Sequence, residues 1–114
     1  MTISSRDKGI RGELLARDFM RDFGYVDVRR GQQHSGSSDS PDVVGVPFVH
    51  FEVKFRERGH GEGYDWLAQA ERDAAGLRLP VVLHKSNRKP WLVTLDAVRF
   101  MRLVPFVEQL GYSE

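Results

Sequence analysis

Two short apolar runs joined by turn-forming residues constrain the fold of this chain more than any other feature. Residues 42–46 and 48–55 both have the composition of β-strands, and Gly45 and Pro47 between them favour a turn. If the turn centres near Pro47, opposed residues have positions that sum to about 94. The pattern therefore predicts an antiparallel hairpin with a defined register.

This register brings charged side chains together on one face of the hairpin. Asp42 faces Glu52, which places their β-carbons roughly 5 Å apart. Lys54 lies on the same face, because side chains two positions apart in a strand point the same way. The opposite face of the second strand is apolar and forms a credible core, with Phe51, Val53 and Phe55.

Two explanations fit this group of charges. The first is a solvated strand face worth less than about 1 kcal/mol, and it suits the polar residues His50, Glu52, Lys54, Arg56 and Arg58. The second is a metal site, because directly opposed carboxylates destabilise a sheet unless a cation offsets them. Mg²⁺ commonly uses one or two carboxylates together with substrate phosphate and water. We favour the metal site, in which Lys54 orients or deprotonates a water or holds a phosphate.

The same residues resemble the signature of the PD-(D/E)XK nuclease superfamily. Pro41-Asp42 is followed, after nine intervening residues, by Glu52-Val53-Lys54. Within that superfamily the chain is most similar to the small archaeal and phage-type Holliday junction resolvases. The similarity runs from about residue 8 to about residue 94 and includes a first helix with Lys8, Gly9, Gly12 and Glu13, a second helix at 66–75, and apolar segments at 79–82 and 88–93.

The resemblance implies a fold, an activity and a set of ligands. The fold is α/β and restriction-endonuclease-like, with a central mixed sheet of about five strands flanked by helices. The activity is hydrolysis of a DNA phosphodiester with Mg²⁺ or Mn²⁺, usually by a homodimer. Asp42, Glu52 and the carbonyl of Val53 would bind the metal, and Lys54 would position the nucleophile.

Glu13 is a further candidate for the catalytic site. The pattern of residues 5–23 predicts a helix that begins near Ser5 and ends at Gly24. Glu13 borders its apolar face, where it would act as an outer metal ligand, as the resemblance supports. The alternative is a surface ion pair with Arg17, four residues further on.

Two predicted segments supply weaker candidates. A loop at 31–40 leads directly into Asp42, and in the resolvases a serine of this region assists catalysis; Ser38 and Ser40 are candidates among its four serines. Gln69 lies at the edge of the second helix, where many members of the superfamily place a polar residue in contact with the site. The alternative for each loop serine is a connection with no catalytic role.

The two glycines of the first helix, Gly9 and Gly12, disfavour helix formation, so we expect them to permit close approach to the sheet or to DNA. The remaining predicted elements are a strand at 25–30, a helix from 64 or 65 to 75, a hairpin with strands at 80–85 and 90–95, and a final helix from Asp96.

Basic residues concentrate toward both ends of the chain although the net charge is only +1. Such a distribution is compatible with phosphate contacts around an acidic metal site, but it also fits an ordinary mixed surface. The candidate DNA-binding residues are Lys8, Arg11, Arg29, Arg30, Arg56 and Lys85.

Composition bounds the remaining choices. A chain of 114 residues supports one domain, 1–114, and it contains no cysteine for disulfides or thiolate chemistry. There is no apolar run of membrane length and no apolar leader, which predicts a cytoplasmic protein without a membrane partner. Late apolar residues, including Phe100, Phe106 and Leu110, suggest a dimer contact.

The sequence as a whole favours a metal-dependent DNA endonuclease, structure-specific for branched or four-way DNA. One alternative is a nuclease of the same superfamily with another substrate, in nicking, restriction or repair. The other is a non-catalytic DNA-binding module of the same fold.

Overall fold

A computed structural model describes residues 5–31, 42–56 and 63–112. The elements in chain order are α1 (Ser5–Asp22), β1 (Arg29–Arg30), β2 (Val43–Val44), β3 (Val49–Arg56), α2 (Gly63–Ala74), β4 (Leu79–Ser86), β5 (Leu92–Thr94) and α3 (Ala97–Leu103), followed by 3-10 helices at Val104–Phe106 and Glu108–Leu110.

The five strands form one sheet in the order β1-β2-β3-β4-β5. The β3–β4 pair is parallel and the other three pairs are antiparallel. α2 connects the two parallel strands, which is the crossover that a parallel pair requires. The predicted α/β class, with a mixed sheet of about five strands flanked by helices, is confirmed.

The predicted hairpin and its register are also confirmed. Val43 pairs with Phe51, and these positions sum to 94. The turn between β2 and β3 uses left-handed backbone, with φ of 112° at Gly45 and 67° at Phe48. Gly45 is also held close to the residues before β1, since a Cβ built there would lie 2.7 Å from the Cα of Val28. A side chain at position 45 is therefore excluded by both conformation and space.

α1 packs on the face of the sheet that carries Val53. Gly12 allows the close approach that the sequence predicts, because a Cβ there would lie 2.7 Å from the Cβ of Phe55. The main core lies between these elements and comprises Ala16, Met20, Val28, Val43, Val53 and Leu83. Half-buried Phe51 packs against this core, which confirms the apolar face predicted for the second hairpin strand.

α2 covers the opposite face. Trp66 and Ala70 form a second cluster with Val82, which is aligned with Glu52 in the β3–β4 register. Because neighbouring residues of β3 point to opposite faces, α1 and α2 sandwich the sheet between them. The charged face of β3 is therefore covered by a helix.

Within residues 5–31 the structure differs from the prediction at two places. The strand expected at 25–30 is reduced to Arg29–Arg30, because the chain after α1 forms turns in which Val28 N–H donates to the Tyr25 carbonyl. Gly9 makes no close approach to the sheet, since no atom lies within 4 Å of a Cβ built there; its approach to DNA stays a prediction.

The C-terminal elements follow the predicted order. β4 and β5 form the late hairpin, and α3 begins after Asp96, whose side chain accepts a hydrogen bond from the Arg99 N–H at 2.7 Å. Pro105 lies in the first 3-10 helix, after α3 has ended at Leu103. Within residues 5–31, 42–56 and 63–112, no helix is both long and apolar enough to cross a membrane.

Candidate functional site

Asp42 and Glu52 form a buried carboxyl pair at the hairpin. The two side chains are hydrogen-bonded to each other, and they retain only 8% and 3% of their exposure. Asp42 is held by the backbone of β3, because the Val53 N–H donates to its Oδ2 at 2.8 Å. The carbonyl of an extended residue points to the same side as its N–H, so the Val53 carbonyl also faces the Asp42 side of β3. Its role as a metal ligand stays a prediction.

The electrostatics of this pair favour one bound proton in the absence of a cation. Burial raises the pKa of Glu52 to about 8, and the charge and hydrogen bond of Asp42 contribute to the increase, against a smaller opposing effect of Lys54. Two carboxyl groups in contact cannot both ionise readily. A divalent cation would relieve the same repulsion, and the oxygen donors of the pair suit a hard ion.

Lys54 and Gln69 meet beside the carboxyl pair. Lys54 is half-buried on β3, and its Nζ donates to Gln69 Oε1 on α2 at 3.4 Å. The hydrogen bond limits where the ammonium can lie, and it gives Gln69 a place next to the predicted catalytic residues. A role of Gln69 in the site stays a prediction.

Glu13 reaches the same region from α1. It is 8% exposed, and its Oε1 accepts a hydrogen bond from Arg30 Nε at 2.9 Å. Burial raises its pKa; the hydrogen bond with Arg30 opposes this, and the charge of Asp42 adds to the increase. Glu13 is thus paired with Arg30 across the fold, and its predicted alternative partner Arg17 instead contacts Asp18 at 2.9 Å.

The predicted DNA-binding residues are distributed over several elements. Arg30 is engaged by Glu13, while the exposed Arg29 donates to the Asp27 carbonyl at 3.1 Å. Three others lie over aromatic rings, at 5.0–5.6 Å from the ring centroids: Arg11 over Phe55, Arg56 over Trp66 and Lys85 over Trp91. Lys8 is half-buried on α1. DNA binding by these residues stays a prediction.

The loop serines Ser38 and Ser40 lie outside the described residues.

The solvated-face explanation is wrong for two residues of β3: His50 is 1% exposed and Glu52 is 3% exposed beneath α2. β3 is instead the central strand of the sheet, and helices cover both of its faces.

A second group of side chains near Glu52 was not predicted from the sequence. A ring nitrogen of His50, a carboxylate oxygen of Glu52 and one of Asp73 all lie within 4.8 Å of one another. Asp73 is in the last turn of α2, and Trp66 and Gln69 precede it by seven and four positions on the same side of the helix. If α2 is a crossover helix that packs along β3, then positions 66, 69 and 73 all face that strand. This spacing is the sequence signal that would identify Asp73.

Comparison with known proteins adds one similarity. A protein of Escherichia phage T5, Protein D14, is 27% identical over an alignment 118 positions long, which covers 85% of this chain and 74% of the phage protein. The name states no activity. No protein-family model and no solved structure matches the chain significantly.

Proposed function

We propose that this chain is a metal-dependent DNA endonuclease that acts on branched DNA, with Mg²⁺ or Mn²⁺ as its cofactor. The observation that carries the proposal is the buried Asp42–Glu52 pair with Lys54 two residues further along β3. The order of a first helix, the hairpin that carries Asp42 and Glu52, a second helix and a further strand is also the order that the resemblance to the PD-(D/E)XK nucleases implies.

The residues present fit a hard divalent cation. Asp42 and Glu52 supply carboxylate oxygens, and Glu52 Oε2 is a buried atom with no hydrogen-bond partner among the described residues. When bound, such a cation would lower the pKa of a coordinated water and polarise a phosphate. Asp42 is kept in position by the Val53 N–H, so its carboxylate need not reorganise on binding.

Lys54 would act next to this pair as a compact positive charge. Its ammonium, held by Gln69, is in a position to orient a water or a phosphate oxygen near the carboxyl groups. Arg30 and Glu13 would stabilise the wall of the site, since their hydrogen bond joins α1 to β1. A DNA substrate is consistent with the predicted cytoplasmic location.

The choice of branched DNA rests on the placement of the basic residues. These residues lie on several elements, which suits contacts to phosphates better than a reading of base edges in one groove. Recognition would then depend on the shape of the backbone, and affinity would fall steeply with salt.

Cleavage assays on four-way, flapped and linear DNA, with Mg²⁺ or with a chelator, test the proposal. We expect Mg²⁺-dependent nicking of four-way junctions in preference to linear duplex of the same sequence. Asp42→Asn and Glu52→Gln should abolish cleavage and retain DNA binding, since an asparagine side chain at position 42 keeps an oxygen acceptor for the Val53 N–H. Asp65→Asn, at an exposed carboxylate of α2, is the control and should cleave normally.

Other outcomes would select the alternatives. Normal turnover in either site variant would refute the site assignment. If a linear duplex of one particular sequence competes as well as a junction at fixed ionic strength, the protein is a sequence-specific nuclease. Metal-independent DNA binding with no cleavage of any substrate would identify a non-catalytic module.

A further inference from the structure

His50, Glu52 and Asp73 converge beneath α2 in a group that the proposed nuclease chemistry does not use as a whole. His50 and Glu52 are two residues apart on β3 and therefore share the face that α2 covers. Asp73 approaches from the last turn of α2, and one ligand atom from each side chain lies within 4.8 Å of the others. Three potential ligands from two rigid elements thus surround one point.

Two atoms of this group lack the partners that burial requires. His50 Nε2 and Glu52 Oε2 are both buried, and within residues 5–31, 42–56 and 63–112 neither has a hydrogen-bond partner. A buried polar atom without a partner costs about 1–3 kcal/mol, and native proteins keep few of them. Two such atoms in adjacent side chains indicate a ligand that binds both.

The charges around the group indicate that this ligand is a cation. The acidic groups are Asp42, Asp73 and Glu52 itself. The positive groups are Lys54, whose charge acts on Glu52, and Arg78, whose charge acts on His50. Lys54 is already held by Gln69. An imidazole nitrogen with two carboxylates is a donor set for transition ions, whereas Mg²⁺ and Ca²⁺ take oxygen ligands.

We propose that His50, Glu52 and Asp73 bind a divalent transition ion of the Zn²⁺ type in preference to Mg²⁺ or Ca²⁺. Three protein ligands that include a histidine and carboxylates leave an open position for water. The site shares Glu52 with the proposed catalytic pair but does not require that the protein cleave DNA. It adds a second kind of metal, held between β3 and α2, to the hard-ion site at Asp42 and Glu52.

Metal titrations without DNA test this site directly. Metal-free protein would be titrated with Co²⁺, followed by visible absorption, and then with Zn²⁺ by calorimetry. We expect one equivalent to bind and Zn²⁺ to displace Co²⁺ even with Mg²⁺ in excess. His50→Gln and Asp73→Asn should each weaken binding by about tenfold or more.

The chain offers a matched control for each variant. His84→Gln changes a histidine on the neighbouring strand that already shares a 2.9 Å hydrogen bond with Thr94 Oγ1, and Asp65→Asn changes an exposed carboxylate of the same helix. Both should bind Co²⁺ and Zn²⁺ as wild type does. Circular dichroism identifies any variant that fails to fold. Of the two ligand variants, Asp73→Asn is less prone to disturb folding than His50→Gln, because Asp73 is only half-buried.

Three results would overturn the proposal: no Co²⁺ absorption at millimolar metal, equal Zn²⁺ affinity in wild type and Asp73→Asn, or full displacement of Zn²⁺ by Mg²⁺. Because none of these measurements involves DNA, their failure is distinguishable from a failure of the nuclease proposal.

Discussion

The proton that buried Glu52 retains links stability to pH at the scale of single residues. Between the ordinary value of 4.5 and the raised value of about 8, folded Glu52 keeps a proton that the unfolded chain has lost. The free energy of unfolding therefore falls as pH rises through this interval and levels off above it. The burial of His50 lowers its pKa below 6.5, which acts in the opposite direction at lower pH. The net fall should be clearest between pH 6.5 and pH 8.

We expect metal-free wild type to lose about 2 kcal/mol of unfolding free energy over that interval, at about 1.4 kcal/mol per pH unit. Glu52→Gln should be nearly flat, because its side chain does not titrate. Asp65→Asn retains the buried pair and should follow wild type. Urea unfolding with a chelator at fixed ionic strength measures all three, and identical profiles for wild type and Glu52→Gln would contradict the assignment of the proton.

Lys54 should be needed for its shape as well as its charge. If it positions a water or phosphate beside the carboxyl pair, Lys54→Ala should lower single-turnover cleavage by about 100-fold or more. Lys54→Arg should recover little, since a planar guanidinium cannot replace a compact ammonium. Gln69→Ala, which removes only the partner of Lys54 Nζ, should cost less than Lys54→Ala.

The control for Lys54 is Lys89→Ala, at an exposed lysine in the turn between β4 and β5. Its cleavage rate should match that of wild type. A near-normal single-turnover cleavage rate for Lys54→Ala would show that Lys54 is a surface charge with no part in catalysis.

At the scale of secondary structure elements, the two glycines of α1 should respond oppositely to alanine. Gly12→Ala places a Cβ 2.7 Å from the Cβ of Phe55, so overpacking should outweigh the gain in helix propensity and cost on the order of 1–2 kcal/mol. Gly9→Ala meets no atom within 4 Å and should stabilise the protein by up to about 1 kcal/mol. Urea unfolding of both variants measures the difference, and a stable Gly12→Ala would refute the close packing of α1 on β3.

The hairpin and the helices could be predicted because their signals are local. The turn at Gly45 and Pro47 sets the register of Asp42 against Glu52, and the glycine after α1 marks the end of that helix. The burial of His50 could not be predicted in the same way, because it depends on the packing of α2 across the sheet. The strand expected at 25–30 is mostly turn, because hydrogen bonds back to α1 override the propensity of its residues.

At the scale of the whole molecule, the main feature is the exposed apolar surface of the C-terminal segment. Phe100, Phe106 and Leu110 are 49%, 55% and 72% exposed, and neither α3 nor the 3-10 helices contain a buried residue. Apolar surface of this kind often marks an interface. Two active sites related by a two-fold axis would also allow symmetric nicks in a junction.

We therefore expect the protein to be a homodimer at micromolar concentration and Phe106→Glu with Leu110→Glu to make it monomeric. Tyr64→Glu, at a 94% exposed aromatic of α2, changes an exposed ring outside the tail and should leave the dimer intact. Sedimentation velocity distinguishes the species. A monomeric wild type that also forms no 2:1 complex with junction DNA would contradict the prediction.

The packing of α2 along β3 has a consequence for how such a site can diverge. Trp66 contacts Arg56, Gln69 contacts Lys54, and Asp73 lies near His50 and Glu52, so successive turns of α2 meet alternate residues of β3, those on the face that α2 covers. A substitution in the last turn of α2 would alter the group of His50, Glu52 and Asp73 without affecting Lys54. A substitution at Gln69 would affect Lys54 without altering that group. An insertion within α2 would instead rotate its later residues away from β3 and disrupt the contacts beyond it. Natural variation in this helix should therefore favour exchanges of side chains over changes of length.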